Sequence, residues 1–199
     1  MAFLTMIAGR RRRWTTLGQC IAWLFGLVLL GFTTPAVAAE SAPSAEYQLK
    51  AVFLFNFAQF VEWPAQAYRD AKAPLVIGIL GENPFGAFLD QLVSGEKVGD
   101  RPLIVRRFRR ADDIAECHIL FISRSEAAIL GQVIAHLKGR SLLTVSDVDT
   151  FTRQGGIVRF VTENGKIRLR INVEAAKRCE LTISSKILRP AMIVTADKD

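Results

Sequence analysis

The sequence predicts an α/β fold: a single mixed sheet of about five to six strands with helices on both faces. Two observations lead to this class. Apolar, strand-like runs alternate with helix-like segments as far as Val145, which is typical of a sheet that helices cover. Further along, Asn164-Gly165 separates two runs of alternating polarity. An Asn-Gly pair in this position is the strongest short-range signal for a β-hairpin.

The first element is predicted to be a long helix that begins at Glu46 and ends before Pro64. The segment contains no internal glycine or proline, and Pro64 cannot continue a helix. At about 3.6 residues per turn, an apolar face is formed by Leu49, Phe53, Leu54, Phe57, Phe60 and Val61. Gln48, Gln59 and Glu62 lie opposite. Phe55 projects towards this polar side, which favours a contact with another molecule.

Shorter patterns predict the later elements. Asn83 and Pro84 suit the N-cap and first residue of a helix that Gly95 ends, and Ser123 with Glu126 has the spacing of a capping box. In chain order, the predicted strands are 75–80, 101–110, 117–122, 141–145, 157–162 and 167–171. The later helices are predicted at 123–138, at 174–178 after Asn172, and from Ser184 onwards with Ile187, Leu188, Met192 and Ile193 as the apolar face.

Residues 1–38 have the features of a cleaved secretory signal peptide. Four arginines at 10–13 precede an apolar stretch at 21–32, and Ala36-Val37-Ala38 has the small-x-small pattern of a cleavage site. The apolar stretch is shorter than the roughly 20 residues of a membrane span, and an uncleaved amino-terminal anchor is the alternative. We therefore predict a periplasmic protein, with a linker at 39–46, a domain at 47–195 and a tail at 196–199.

The charge of the mature chain argues against a nucleic-acid-binding protein. The leader contains four arginines, so its removal lowers the number of Lys and Arg residues from 26 to 22, against 19 acidic residues. The net charge of +3 that remains is typical of an ordinary soluble surface. The arginines at the end of the 101–110 strand are interpreted as solvent-exposed residues without a binding role. The functional alternatives are that they bind an acidic partner or the anionic membrane surface.

Two cysteines remain in the mature chain, Cys117 and Cys179. An exported protein meets oxidising conditions, so one prediction is a disulfide between them. The alternative is a free thiol at Cys117, because unpaired buried cysteines are common in apolar strands.

The sequence contains no recognisable catalytic or metal-binding constellation. His118 and His136 have no cysteine or carboxylate at ligand spacing around them, so both are interpreted as structural. Asp147 and Asp149 have the spacing to coordinate a divalent cation, but turn and capping roles are the preferred interpretation. Ser185-Lys186 lacks the Ser-x-x-Lys spacing and is interpreted as part of a helix cap. We therefore expect no enzymatic activity, no cofactor and no metal.

Several blocks of the sequence resemble the YfiR-like family of periplasmic proteins. Residues 47–64 resemble the amino-terminal signature of that family, and seven shorter blocks follow in the same order. These are 81–86, 117–123, 143–147, 155–160, 163–166, 171–172 and 184–188. The resemblance, from Tyr47 to about Val194, implies a small α/β protein that works by binding. It implies a repressor that holds the periplasmic sensor domain of an inner-membrane diguanylate cyclase inactive, and so limits cyclic di-GMP signalling and biofilm formation.

The resemblance also implies partners beyond the cyclase. An outer-membrane lipoprotein relieves the repression by sequestering the repressor, and the family resemblance points to homodimers. Cys117 matches one of the family's cysteine positions, whereas Cys179 is not part of the pattern, so the resemblance does not extend to redox control.

Two candidate sites follow from these interpretations. The partner surface is expected at the first helix and the basic strand end, with Phe55, Gln59, Glu62, Arg107, Arg109 and Arg110 as contact residues. The alternative function is a periplasmic small-molecule sensor, whose pocket would lie at the carboxyl ends of the strands. Gly81, Asn83, Ser123 and Ser146 would line that pocket. An envelope scaffold without a switch is the third interpretation.

Overall fold

The structure, a computed structural model, describes residues 43–195. The predicted signal peptide and carboxyl-terminal tail lie outside the described residues. The helices are α1 (Ala45–Phe60), α2 (Phe88–Val93), α3 (Leu130–His136), α4 (Val173–Arg178) and α5 (Ser185–Leu188). The strands are β1 (Val61–Glu62), β2 (Leu75–Leu80), β3 (Lys97–Val98), β4 (Arg101–Phe108), β5 (Ile119–Ile122), β6 (Leu143–Ser146), β7 (Val158–Glu163), β8 (Lys166–Asn172), β9 (Thr182–Ile183) and β10 (Met192–Val194).

The predicted α/β class is confirmed, with one mixed sheet of eight strands in the order β10-β8-β7-β6-β5-β2-β4-β3. The five central neighbours β4, β2, β5, β6 and β7 run parallel, β8 is antiparallel to β7, and β10 is parallel to β8. The sheet exceeds the expected five to six strands because β3 and β10 are only two and three residues long. Segments this short carry no periodic signal.

The core lies on both faces of this sheet. Successive strand residues point to opposite faces, so Ile119 and Phe121 join a larger cluster that includes Leu54 and Phe57 of α1. Leu120 and Ile122 join a smaller cluster that includes residues of α3. All six residues of β2 are buried, as expected for a central parallel strand covered on both sides.

The Asn-Gly hairpin is confirmed. Asn164 and Gly165 have φ angles of 52° and 71°, and Glu163 pairs with Lys166 across the turn. Positive φ at both central residues of a two-residue loop is the requirement of a type I′ turn, which Asn and Gly tolerate.

The apolar face predicted for the first helix is rotated in the structure. Leu49 is 45% exposed, whereas Lys50 is 1% exposed, and Phe53 and Phe60 are half-buried. The residues of α1 that face the interior are Lys50, Ala51, Leu54, Phe57 and Ala58. The helix also ends earlier than predicted, because Val61 and Glu62 pair with Ile183 and Thr182 of β9.

Two helix boundaries differ from the sequence-based expectation. The Asn83 side chain accepts a hydrogen bond from the Phe85 amide and donates one to the Gly86 carbonyl, which makes a local turn, and α2 begins only at Phe88. At the other end of the chain, Met192 and Ile193 lie on β10 rather than on the last helix. That helix ends at Leu188, because Pro190 cannot continue it.

Among the described residues, we found no helix with the length and apolar character that a membrane span requires.

Candidate functional site

A buried ionic cluster joins the amino-terminal half of α1 to the end of β6. The Nζ atom of Lys50 lies 2.6 Å from Asp147 Oδ2 and 2.6 Å from Glu46 Oε1. The Tyr47 hydroxyl donates to the same Asp147 oxygen at 2.9 Å. Arg124 donates to the Asp147 carbonyl at 3.0 Å, and its Nε lies 3.2 Å from Oδ1. The carboxylate of Asp147 is therefore held by two cations and a phenol.

This cluster anchors the helix to the sheet. Burial raises the pKa of Tyr47 to about 12, with the negative charge of Asp147 as a further cause, so the phenol remains a hydrogen-bond donor. The hydrogen bond from Lys50 lowers the pKa of Glu46. Because Asp147 is occupied by these side chains, the cation-binding alternative finds no support. In the stretch from 43 to 195, no group of three or more His, Cys, Asp or Glu side chains is arranged to hold a metal.

The four residues of the alternative pocket lie near this cluster, at the carboxyl ends of the parallel strands. Their polar groups are already used. The Ser123 amide donates to the Leu80 carbonyl at 3.0 Å, and the Ser146 hydroxyl donates to the Ile122 carbonyl at 2.7 Å. The space above Gly81 is filled, because a Cβ atom there would meet Ser125 Oγ and the Glu126 side chain. A ligand at this edge would have to displace the chain's own side chains.

The six residues of the predicted partner surface are spread over α1, β1 and the carboxyl end of β4 with the residues that follow it. Phe55 is half-buried against the larger core cluster, whereas Gln59 and Glu62 are exposed. The Gln59 amide lies 3.5 Å from the Lys97 carbonyl, beside the start of β4.

The three arginines lie at the other end of that strand, so the structure does not gather the six residues into one patch. Arg107 pairs with Asp90, Arg110 lies 3.1 Å from Asp112, and Arg109 is exposed. Two of the three guanidinium groups therefore already contact carboxylates of the same chain, which weakens their attraction for an acidic partner.

The apolar residues that the sequence predicts to face the core do not all lie in the interior. Leu49 is 45% exposed and shares this side of the helix with the half-buried Phe53 and Phe60, according to the 3.6-residue repeat. The sequence predicts that these residues face the core. Helical periodicity identifies the apolar stripe of a helix, but it does not show which part of the stripe the sheet covers. Phe53 and Phe60 pack against the larger core cluster, so Leu49 is the exposed apolar residue on this side of α1.

Both cysteines are free thiols in the structure, so of the two alternatives that the sequence leaves open, the disulfide between Cys117 and Cys179 is not formed. The physical reason is their position in the core. Cys117 is buried in the smaller cluster, where its thiol donates to the Ile119 carbonyl at 3.1 Å. Cys179 packs against the larger cluster at the end of α4.

His118 is a buried structural residue at the start of β5. Its Nδ1 accepts a hydrogen bond from the Val76 amide at 3.1 Å. Its ring stacks on Tyr68 with a centroid distance of 4.6 Å, and the Arg101 guanidinium covers Tyr68, 3.7 Å from its ring centre. Burial lowers the pKa of His118 to about 4. The ring is therefore neutral and fixes the connection between α1 and β2.

Comparison with known proteins identifies the family. The model of the YfiR/HmsC-like family (DUF4154) matches residues 47–192. Among solved structures, the chain is similar to a conserved domain protein from Vibrio cholerae O1 biovar El Tor str. N16961, with 15% identity and a TM-score of 0.43. That match covers 59% of this chain and 54% of the other, so it spans about half of the Vibrio protein. A comparison with curated proteins gives no match.

The family match includes the whole eight-stranded sheet apart from the last two residues of β10, together with the buried ionic cluster except for Glu46. The same stretch contains the blocks from which the resemblance was first inferred. The chain therefore belongs to the YfiR/HmsC-like family.

Proposed function

We propose that the protein is a periplasmic regulatory binding protein that represses an inner-membrane diguanylate cyclase. It holds the periplasmic sensor domain of the cyclase inactive and so limits cyclic di-GMP signalling. The observation that carries this proposal is the family match over residues 47–192. An outer-membrane lipoprotein that sequesters the repressor, and a homodimeric state, belong to the same proposal, as does export by the signal peptide at residues 1–38.

The character of the described residues agrees with a binding role. The polar groups at the carboxyl edge of the sheet are occupied by hydrogen bonds and ion pairs within the chain. On α1, the exposed Leu49 and the half-buried Phe53 and Phe60 supply apolar surface, whose burial favours association. We place the partner contact there, at Leu49, Phe53 and Phe60. Phe55, Gln59 and Glu62 would flank it, and the strand end with Arg107, Arg109 and Arg110 would lie further along.

The first test is capture of the partner from its own membranes. The full chain with a carboxyl-terminal affinity tag is expressed in the native host, and retained membrane proteins are identified by mass spectrometry. We expect an inner-membrane protein with a periplasmic domain and a cytoplasmic GGDEF domain. Deletion of the gene should raise cellular cyclic di-GMP. The proposal would be refuted if no cyclase is captured under either reducing or oxidising conditions and the deletion leaves cyclic di-GMP unchanged.

A matched pair of substitutions tests the proposed surface. Leu49 and Ile129 are 45% and 44% exposed, so an aspartate at either position should have a similar effect on folding. Leu49→Asp should weaken binding of the captured cyclase by about 2 kcal/mol or more, which is roughly 30-fold in Kd. Ile129→Asp lies in the 3₁₀ turn before α3 and should leave Kd unchanged. Equal affinities for the two variants would exclude this side of α1 as the contact.

A further inference from the structure

A cavity of about 520 Å³ lies between α3 and α4, beside the start of β6. This volume is within the range of about 300–1,000 Å³ that is usual for small-molecule sites. Three of the residues around it are glycines, at positions 131, 139 and 155. Gly139 and Gly155 have φ angles of +82° and +95°, a conformation that favours glycine. At these two positions the backbone therefore favours a residue without a side chain.

The apolar lining of the cavity is aliphatic. Its large members are Ile134, Leu137, Leu142 and Ile157, and no Phe, Tyr or Trp is among the described residues that line it. An aromatic ligand would find no ring on which to stack, whereas an alkyl chain needs only apolar area to be removed from water. The lining therefore favours an aliphatic occupant.

Two charged side chains are among the described residues that line the cavity, and both are cationic. Lys138 and Arg178 are exposed residues of the lining, and no carboxylate is among the described lining residues. The other polar side chains are engaged: Thr144 Oγ1 accepts a hydrogen bond from the Ile157 amide, and the Gln154 amide donates to Thr150. A negatively charged head group would thus find cationic partners and no competing acid among the described lining residues. Guanidinium and ammonium groups bind carboxylates through charge-assisted hydrogen bonds.

We propose that this cavity binds an aliphatic monocarboxylate of the fatty-acid type. The alkyl chain lies along Ile134, Leu137 and Leu142, and the carboxylate is held by Lys138 and Arg178. The site is separate from the contact surface on α1 and does not depend on the proposed repressor function. The chemistry of the lining selects both the aliphatic body and the anionic head.

Cys179 provides the readout, because its half-buried thiol lines the same cavity while the thiol of Cys117 is buried elsewhere. The purified full chain is incubated with sodium decanoate, decanol or decylamine and then alkylated with a maleimide. Labelling of each cysteine is followed by peptide mass spectrometry. Decanoate should slow the alkylation of Cys179 at least about fivefold at concentrations up to about 1 mM, which is the weak end of specific affinities. Cys117 should be unaffected.

Two comparisons test the head-group assignment. Decanol and decylamine should protect Cys179 about tenfold less well than decanoate. In the double variant Lys138→Gln/Arg178→Gln, the decanoate concentration for half-protection should rise about tenfold, while that for decanol stays the same. Absence of protection by decanoate in the wild-type chain would overturn the proposal. Equal protection by decanol would also overturn it. Lys138 and Arg178 would then interact only with the carbonyl groups at the ends of α3 and α4 and not with the ligand.

Discussion

Replacing Asp147 with asparagine should destabilise the fold by about 3 kcal/mol, because it leaves a buried ammonium group with one ionic partner fewer. The Lys50 side chain is 1% exposed, and its Nζ lies 2.6 Å from both Asp147 and Glu46. Removal of one partner from a buried ion pair costs roughly 3–5 kcal/mol. The lower end applies here, because Glu46 still accepts a hydrogen bond from Lys50.

Urea denaturation followed by the fluorescence of Trp63 measures this loss. For a domain of this size, 3 kcal/mol also corresponds to a fall of roughly 6–12 °C in Tm. Asp149→Asn is the matched control: the Asp149 side chain is 82% exposed, and its 2.7 Å ion pair with Arg159 should contribute less than about 1 kcal/mol. The reasoning is refuted if Asp147→Asn lies within about 0.5 kcal/mol of wild type at an unchanged m-value.

Two further predictions concern the sheet. The pKa of His118 is lowered from 6.5 to about 4 in the folded protein, so the unfolded chain takes up this proton first as pH falls. The stability that depends on the neutral His118 ring is present above pH 6.5 and is lost between about 6.5 and 4, by roughly 3 kcal/mol in all. His118→Gln should remove this dependence in denaturation curves collected from pH 7 to 5, and an identical pH profile for the variant would contradict it. Gly78→Ala should cost about 1–3 kcal/mol, because its Cβ would lie 2.6 Å from Cys117 Sγ and 2.8 Å from the Phe108 ring. The control is Gly131→Ala, because a Cβ atom at Gly131 would have its nearest contact at 3.3 Å. This variant should change the free energy of unfolding by less than about 0.5 kcal/mol. Similar losses for the two variants would contradict the prediction and show that the space around Gly78 adapts.

The sheet was predictable wherever a strand is long and apolar. The predicted strand at 75–80 has the same bounds as β2, and the hairpin turn is located correctly, because both signals are local. The short edge strands β3 and β10 were missed, since two or three residues carry no periodicity. Their conformation depends on pairing with β4 and β8, which only the folded chain provides.

The orientation of α1 could not be read from its own sequence. A lysine among phenylalanines is normally assigned to solvent, yet Lys50 is buried because Asp147, 97 residues away, neutralises it. The leucine beside it is displaced outwards as a result. The partner surface inferred from Phe55 depended on the same assumption about the helix face, and the structure moves the exposed apolar side to Leu49.

The separation between Lys50 and Asp147 also constrains the order in which the chain can fold. Residue 50 is synthesised long before residue 147, so the amino-terminal helix is made with its charge unpaired and its aromatic side chains uncovered. Its docking must wait for a contact between distant parts of the chain, and contacts of this kind form slowly. The newly made segment is thus a natural client for a chaperone that binds exposed apolar surface until β6 has been synthesised.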